Sequence, residues 1–326
     1  MLVGCTLPDI PSGAPAARPV AARRQAWRKD LALLGSLAAL APLAWYLPER
    51  HWPSFCAGLV RSHAWRCRSE RLARFGYVDA LSSTWPGLTA TVCARRQRAN
   101  IYRERLQLLR CYRSDGGPPS LRLDGREQLA AVLAGGRGAI LWVGPFVFSD
   151  LLTKIALHDA GFAVSHLSRY AHGFSGSDFG VRVLNPIRTR IEQRFLAERL
   201  VMTRQSPVGA LRELRRRLDA GRPVSVSAIG WAEQLYRIPF LNGTVQMAGG
   251  APSLAIRSGA PLLPVFTGRD PDGQELTVIE PPLMHRAAWP REEAITRLLL
   301  QYAALLEYYV TRWPDQFRPN ALLFEP

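Results

Sequence analysis

The chain has 326 residues, 48% of them hydrophobic, with 26 glycines and 25 prolines, a composition that excludes disorder and a fibrous repeat. Lys+Arg 42 against Asp+Glu 26 leave a net charge of +16, which suits an acidic partner, whether nucleic acid or an anionic membrane surface. No zinc-finger spacing, ribonucleoprotein signature or basic-zipper heptad supports nucleic acid. The charge is concentrated at the front, where residues 1–130 hold 20 basic and 9 acidic side chains. Only Lys29 and Lys154 are lysines. The arginines bind phosphate in a planar, bidentate way, although biased codon usage yields the same excess. The five cysteines, Cys5, Cys56, Cys67, Cys93 and Cys111, form no C-x-x-C pair. They are expected as free thiols in a reducing compartment, not as metal ligands.

In chain order, residues 1–30 read as a basic, flexible N-terminus. Residues 31–48, LALLGSLAALAPLAWYLP, are uncharged. As a helix they would span about 27 Å, against a hydrocarbon core of about 30 Å. Pro42 interrupts the run, and Trp45 and Tyr46 end it like an interfacial anchor. A secretory signal fits poorly, because thirty residues precede the run and no small-x-small cleavage site follows. Arginines flank both ends, Arg23, Arg24 and Arg28 before it and Arg50, Arg61, Arg66, Arg68, Arg71 and Arg74 after it. A single span wants its positive side in the cytoplasm only. The pattern therefore favours a monotopic or hairpin-like anchor, apolar face in lipid and arginines on headgroups. A helix buried in a soluble protein is the competing reading. Residues 88–113 read as one basic helix with Leu and Tyr on its apolar face, and residues 114–120, SDGGPPS, as a linker. The anchor and basic helical region is thus 31–113, and the second domain 121–326.

That domain alternates short apolar runs with helical patterns, which predicts an α/β fold with a mostly parallel central sheet flanked by helices. Strands are expected at 138–144 (GAILWVG), 162–168, 223–229 (PVSVSAI), 261–267 (PLLPVFT) and 275–280. Helices are expected at about 150–160, 186–198, 207–220, 246–259 and 291–312. The first strand ends in Gly144-Pro145 and Asp150 opens the next helix. Ligands of open α/β sheets bind outside the carboxyl ends of strands, so this corner is the natural place for a site.

The blocks DGREQLAAVLAGGRG, GGRGAILWVGPFVFSD, Ser168-Arg169-Tyr170, Asn185-Pro186, SPVGALRELRRRLDAGRPVSVSA, IPFLNG, LAIRSGAPLLPVF, VIEPPL and RWPDQFRPNALLF follow one another in order. In that order the chain resembles the lysophospholipid acyltransferase superfamily, most closely the branch of the lipid A late acyltransferases, from about residue 31 to the end. The resemblance implies transfer of an acyl chain from acyl carrier protein or acyl-coenzyme A to a hydroxyl of a lipid or glycolipid acceptor. It also implies a place at the cytoplasmic face of the inner membrane; nothing in the sequence identifies a metal or organic cofactor, and none of the mechanisms below needs one. In the family a His-x4-Asp/Glu motif follows the first strand; its histidine is the general base and its carboxylate fixes the ring.

Here the motif reads Pro145-Phe146-Val147-Phe148-Ser149-Asp150. Asp150 matches the carboxylate, but Pro145 stands where the histidine belongs and has neither a base nor an N–H. One reading keeps acyl transfer by another route. Asp150 could take the proton if Phe146 and Phe148 raise its pKa, an amine acceptor would need less help, or His166 or His172 could replace the base. A second reading is a catalytically silent protein that binds lipid or acyl carrier and assists a partner enzyme. A third is transfer of a different group by a different centre. The resemblance further places Arg169, Asn185 and Arg188 along the cleft, with Arg169 suited to an acceptor phosphate. Gly230 and Trp231, with Glu233 nearby, replace a usual Asp-Gln pair. The basic face carrying Arg212, Arg215, Arg216 and Arg217 is either a docking patch for acidic acyl carrier protein or a solvated helix face.

Overall fold

A computed structural model describes residues 20–62, 73–113, 121–202, 207–230, 232 and 234–325. The basic residues before position 20, Cys5, Cys67, Arg66, Arg68, Arg71, the 114–120 linker, Trp231 and Glu233 lie outside the described residues. Helices α1 (Val20–Tyr46), α2 (Trp52–Ser62) and α3 (Ala90–Arg110) lead into the sheet domain. Next come β1 (Leu121–Asp124), α4 (Arg126–Ala134), β2 (Ala139–Val143), α5 (Ser149–Asp159) and β3 (Ser165–Arg169). They are followed by α6 (Asn185–Gln193), β4 (Glu198–Met202), α7 (Pro207–Asp219) and β5 (Pro223–Ser227). A hairpin of β6 (Leu235–Phe240) and β7 (Gly243–Ala248) precedes α8 (Gly250–Ser258), β8 (Leu262–Arg269), β9 (Glu275–Ile279) and α9 (Arg291–Arg312).

Seven strands form one sheet in the order β1-β9-β8-β2-β5-β3-β4. Every neighbouring pair is parallel except β8 and β9, which a short turn joins. The expected α/β architecture, a mostly parallel sheet between helices, is the one that forms. All of β2 is buried, as a strand covered on both faces must be. One face packs on α9 through rings: Trp142 lies 3.9 Å from Tyr302 and Phe266 4.3 Å from Tyr309, centroid to centroid. A buried hydroxyl ladder, Thr153–Thr267–Thr277 at 2.7 and 2.9 Å, satisfies polar atoms that the core could not otherwise hold.

Several boundaries differ from the expected ones, and three of them by three residues or more for a local reason. The strand expected at 162–168 begins at Ser165, because Phe162 N–H closes the turn after α5 on Leu157 O at 2.9 Å. The helix expected to reach 198 stops at Gln193 and hands over to the edge strand β4. The helix expected from 246 starts at Gly250, because residues 243–248 pair with β6 across the Leu241-Asn242 turn.

Residues 31–46 of the apolar run sit in α1, and residues 20–30, expected to be part of a flexible N-terminus, are helical because α1 begins at Val20. One stripe of α1, Leu37, Leu40 and Ala44, is buried in a cluster with Trp52, Cys56, Leu106 and Leu109. Asp30 on the same side accepts a hydrogen bond from Ser177 Oγ. The opposite stripe, Leu31, Gly35, Ala38, Pro42, Trp45 and Tyr46, is exposed and uncharged. Among the described residues no helix is long and apolar enough to cross a membrane. Helix α3 is capped by Thr89, whose side chain accepts from Val92 N–H at 3.3 Å. Its buried residues, Cys93 to Leu109, tie the N-terminal helices to the α/β core. Cys56, Cys93 and Cys111 are free and buried, and burial pushes their thiols up to about 12, 12 and 11, which makes them poor nucleophiles.

Glu275 opens β9 inside this core. One oxygen accepts from Gln107, the other has no partner among the described residues, and burial pushes the carboxyl up to about 7 even though Arg269 opposes it. A carboxyl raised from 4.5 to about 7 destabilises the fold progressively as pH climbs through that window. Glu275→Gln is therefore expected to raise the urea midpoint at about pH 8 and to leave it unchanged at about pH 4.

Candidate functional site

Strands β2, β5 and β3 are adjacent and parallel, so their carboxyl ends open on one side of the sheet. A cleft of about 490 Å³ lies there, lined among others by Pro145, Asp150, His166, Arg169, His172 and Arg318. Gly144 ends β2 under Phe266; a Cβ on it would fall 2.6 Å from that ring, so only glycine lets the chain turn here. The turn is stitched to the segment after α9. Arg318 N–H donates to Pro145 O at 2.8 Å, Val147 N–H to Gln316 O at 2.8 Å, and Arg318 Nη2 to Val147 O at 2.7 Å.

Asp150 stands in the first turn of α5, where the helix favours an anion. Its Oδ2 accepts from Arg318 Nη1 at 2.7 Å. Burial alone would raise its pKa, but Arg318, His172, Arg188 and Lys154 outweigh burial and hold the carboxyl well below the usual range. The expectation that Phe146 and Phe148 raise it is overturned. Both rings are fully buried in separate core clusters, Phe146 against Phe266 and Trp313 and Phe148 among Leu108, Leu152 and Ile155. A carboxylate this acidic is a poor proton acceptor near neutrality.

His172 presents a different prospect. It sits in the loop after β3, lines the cleft, and remains 19% exposed. Its Nε2 lies 2.8 Å from Glu192 Oε2. Glu192 is 1% exposed and also takes Lys154 Nζ at 2.8 Å and Arg188 Nη1 at 3.4 Å. Burial would raise Glu192, yet Lys154, His172 and Arg188 hold it far below its ordinary value. In the neutral ring, an Nε2–H given to this fixed carboxylate would leave Nδ1 with the lone pair. The couple reproduces a base with an orienting carboxylate, at a place distinct from the degenerate motif.

His166, on β3, is in the cleft wall, but its Nδ1 pairs with Ser225 Oγ at 2.8 Å. Burial, together with the charges of Lys154 and His172, pushes its pKa well below the usual histidine value, so it stays neutral. Arg169 ends β3 at the exposed rim, and its carbonyl accepts from His172 N–H at 3.0 Å.

Asn185 and Arg188 do not face the cleft as the resemblance implied; both are buried beneath it. Asn185 pins the His172 loop: Oδ1 accepts from Phe174 and Ser175 N–H at 2.7 and 2.9 Å, and Nδ2 donates to Ala171 O and Ser175 O at 3.3 and 2.8 Å. Gly173 lets it approach, with φ +139° and a notional Cβ 2.6 Å from the Asn185 side chain. Arg188 pairs with Glu104 at 2.7 Å and with Glu192, and covers the Phe174 ring at 4.8 Å. The α7 arginines are mostly matched: Arg215 pairs with Asp219, Arg216 with Glu213 and Arg217 with Glu198. Arg212 is exposed. As a docking patch, that face carries less free charge than its sequence suggests.

Lys154, Glu192, Ser225 and Arg318 join the site without being singled out by sequence. The i,i+4 spacings of Asp150 with Lys154 and of Arg188 with Glu192 are the local signals available; the others meet only through tertiary packing. No family model matches the chain, and no curated protein is significantly similar to it.

Proposed function

We propose that the chain is an acyltransferase at a membrane surface, in which His172 takes over the task of the missing motif histidine. The observation that carries this reading is the His172–Glu192 couple on a cleft that Asp150 and Arg318 also line. An acyl carrier protein or coenzyme A thioester supplies the chain, and a hydroxyl or amine of an envelope glycolipid or lipid-like metabolite receives it. His172 removes the acceptor proton as the acceptor heteroatom attacks the thioester carbonyl. The tetrahedral intermediate then collapses, the thiolate leaves, and it takes the proton back from His172. Arg169 and Arg318 supply positive charge for the developing oxyanion or for an acceptor phosphate. No step requires a metal or organic cofactor.

The membrane part of the reading rests on the uncharged exposed stripe of α1, which ends in Trp45 and Tyr46 and is followed by Arg50. The cytoplasmic face of an inner membrane is where such donors meet such acceptors. Ala38→Glu puts a charge in mid-stripe without touching the buried side. It is expected to abolish flotation with phospholipid vesicles while leaving the melting temperature unchanged.

The silent reading has its own support. Asp150 is held by Arg318, and the Pro145 carbonyl by the same residue, so the old motif corner is closed as a catalytic unit. The two are separated by incubating purified full chain with acyl carrier protein and coenzyme A thioesters and an acceptor lipid extract. Donor consumption supports catalysis. No consumption with any donor, alongside retained vesicle binding, favours the silent protein.

A further inference from the structure

We propose that a second cleft, on the neighbouring face of α3, is a binding site for a phosphate group. Two adjoining cavities of about 430 Å³ each lie between α3 and the β8–β9 turn, one reaching the segment after α9 and the other Glu49 and Arg50. Arg103, Arg269, Asp272 and Gly273 line both, which makes them one groove centred on the two arginines. It is separate from the acyl cleft: Gln97 and Ile101 of α3 face that one, while Arg96, Asn100 and Arg103 face this one.

The two central arginines are short of acceptors. Arg103 Nε and Arg269 Nη1 are buried with no hydrogen-bond partner among the described residues. Arg269 spends Nε on Gly273 O at 2.7 Å, and neither arginine has a carboxylate within ion-pair distance among the described residues. Buried guanidinium N–H groups without acceptors are costly, and a phosphate offers oxygens in the planar geometry they need.

The acidic groups in the groove are largely engaged. Asp270 receives Arg312 at 2.9 and 2.6 Å and Trp313 Nε1 at 2.8 Å, and Asp272 accepts from Gln274 N–H at 2.9 Å. Glu275 takes the Gln107 amide, and burial raises both it and Asp315, which weakens their repulsion of an anion. Glu49 is exposed at the mouth. The mouth also identifies the sources. Glu49, Arg50 and Pro53 border the groove directly after Trp45 and Tyr46, the exposed aromatic end of the α1 stripe. A phospholipid headgroup reaches the groove from that surface, and free phosphate reaches it from solvent; the chemistry recognised is the same.

The test uses purified full chain in two arms, thermal melting with inorganic phosphate against sodium chloride of equal ionic strength, and sedimentation with phosphatidylcholine vesicles with or without phosphatidic acid. Binding to the folded state raises the melting temperature. A rise with inorganic phosphate identifies the free anion as sufficient, and a response to phosphatidic acid alone identifies the headgroup. Arg103→Gln and Arg269→Gln are each expected to weaken the response about tenfold, with unliganded melting curves reporting whether each variant folds. Arg122→Gln, which removes an exposed arginine paired with Asp124 on β1, controls for total charge. Phosphate independence in both arms, or an equal loss in Arg122→Gln, overturns the site. Because neither arm reads donor consumption, its failure and that of the acyltransferase reading are distinguishable.

Discussion

His172→Ala lowers donor turnover by about 10²–10⁴-fold, the range typical for loss of a positioned general base, and leaves the fold in place. The side chain is at the cleft rim, so its truncation opens no core cavity. Glu192 keeps Lys154 and Arg188 as counterions after the ring is gone. Thiol release from the acyl donor is the readout, with melting curves run beside it. Asp150→Asn separates this assignment from the motif-based one. If Asp150 were the base, its amide variant would be the inactive one and His172→Ala would turn over normally, which would refute His172 as the proton acceptor. Pro145→His in the His172→Ala background adds a positive test. It returns an imidazole to the position five residues before Asp150, on a turn whose carbonyl is already fixed by Arg318, and partial recovery of turnover is the expected result.

The corner that Pro145 occupies is the part of the site that local sequence reports. The runs GAILWVG and PLLPVFT are nearly continuous in apolar residues, as strands buried on both faces must be, and PVSVSAI alternates valine with serine; they fall on β2, β8 and β5. With Gly144-Pro145 ending the first of them, the corner where the cleft lies could be located from sequence alone. The edge strands β1 and β4 could not. Each is short and largely exposed or half-buried, so no alternation stands out from the flanking helices. The hairpin carries an Asn242-Gly243 pair, a turn signal hidden by the longer apolar block IPFLNG around it. The apolar run of α1 was legible as apolar, but not that one stripe is spent on α3 while the other is bare. That division depends on which side a distant helix occupies.

The chemistry of the cleft was less legible for the same reason. Phe146 and Phe148 adjoin Asp150 in sequence, yet the turn sends their rings into two cores and turns the carboxylate toward Arg318, 168 positions away. Glu104, Lys154, Arg188 and Glu192 come from α3, α5 and α6, and only Arg188 and Glu192 share a segment at helical spacing, so local sequence does not announce the meeting of all four. Asn185 and Arg188 were found by resemblance, but their work is indirect: one holds the loop that carries His172, and the other helps fix the carboxylate that orients it.

Glu192→Gln tests that buried network where the cost should be greatest. The carboxylate is 1% exposed and neutralises Lys154, itself 5% exposed, while sharing Arg188 with Glu104. An amide of the same shape leaves a buried ammonium without its anion, a change that costs about 3–5 kcal/mol when one partner of such a pair is removed. Against a total stability of about 5–15 kcal/mol, the urea midpoint at neutral pH should fall by a large fraction. The folded carboxyl lies below its unfolded value of 4.5, so its contribution is complete above that value and is lost as pH falls through the folded pKa. The gap between wild type and Glu192→Gln should accordingly be widest at neutral pH and narrow below about pH 4. A constant gap across that range would mean that packing, not charge, sets the role of Glu192. In the same variant His172 loses its ionised orienting partner, so donor turnover should drop even under conditions where the protein is fully folded. Preserved turnover there would detach Glu192 from the chemistry and leave it a structural counterion.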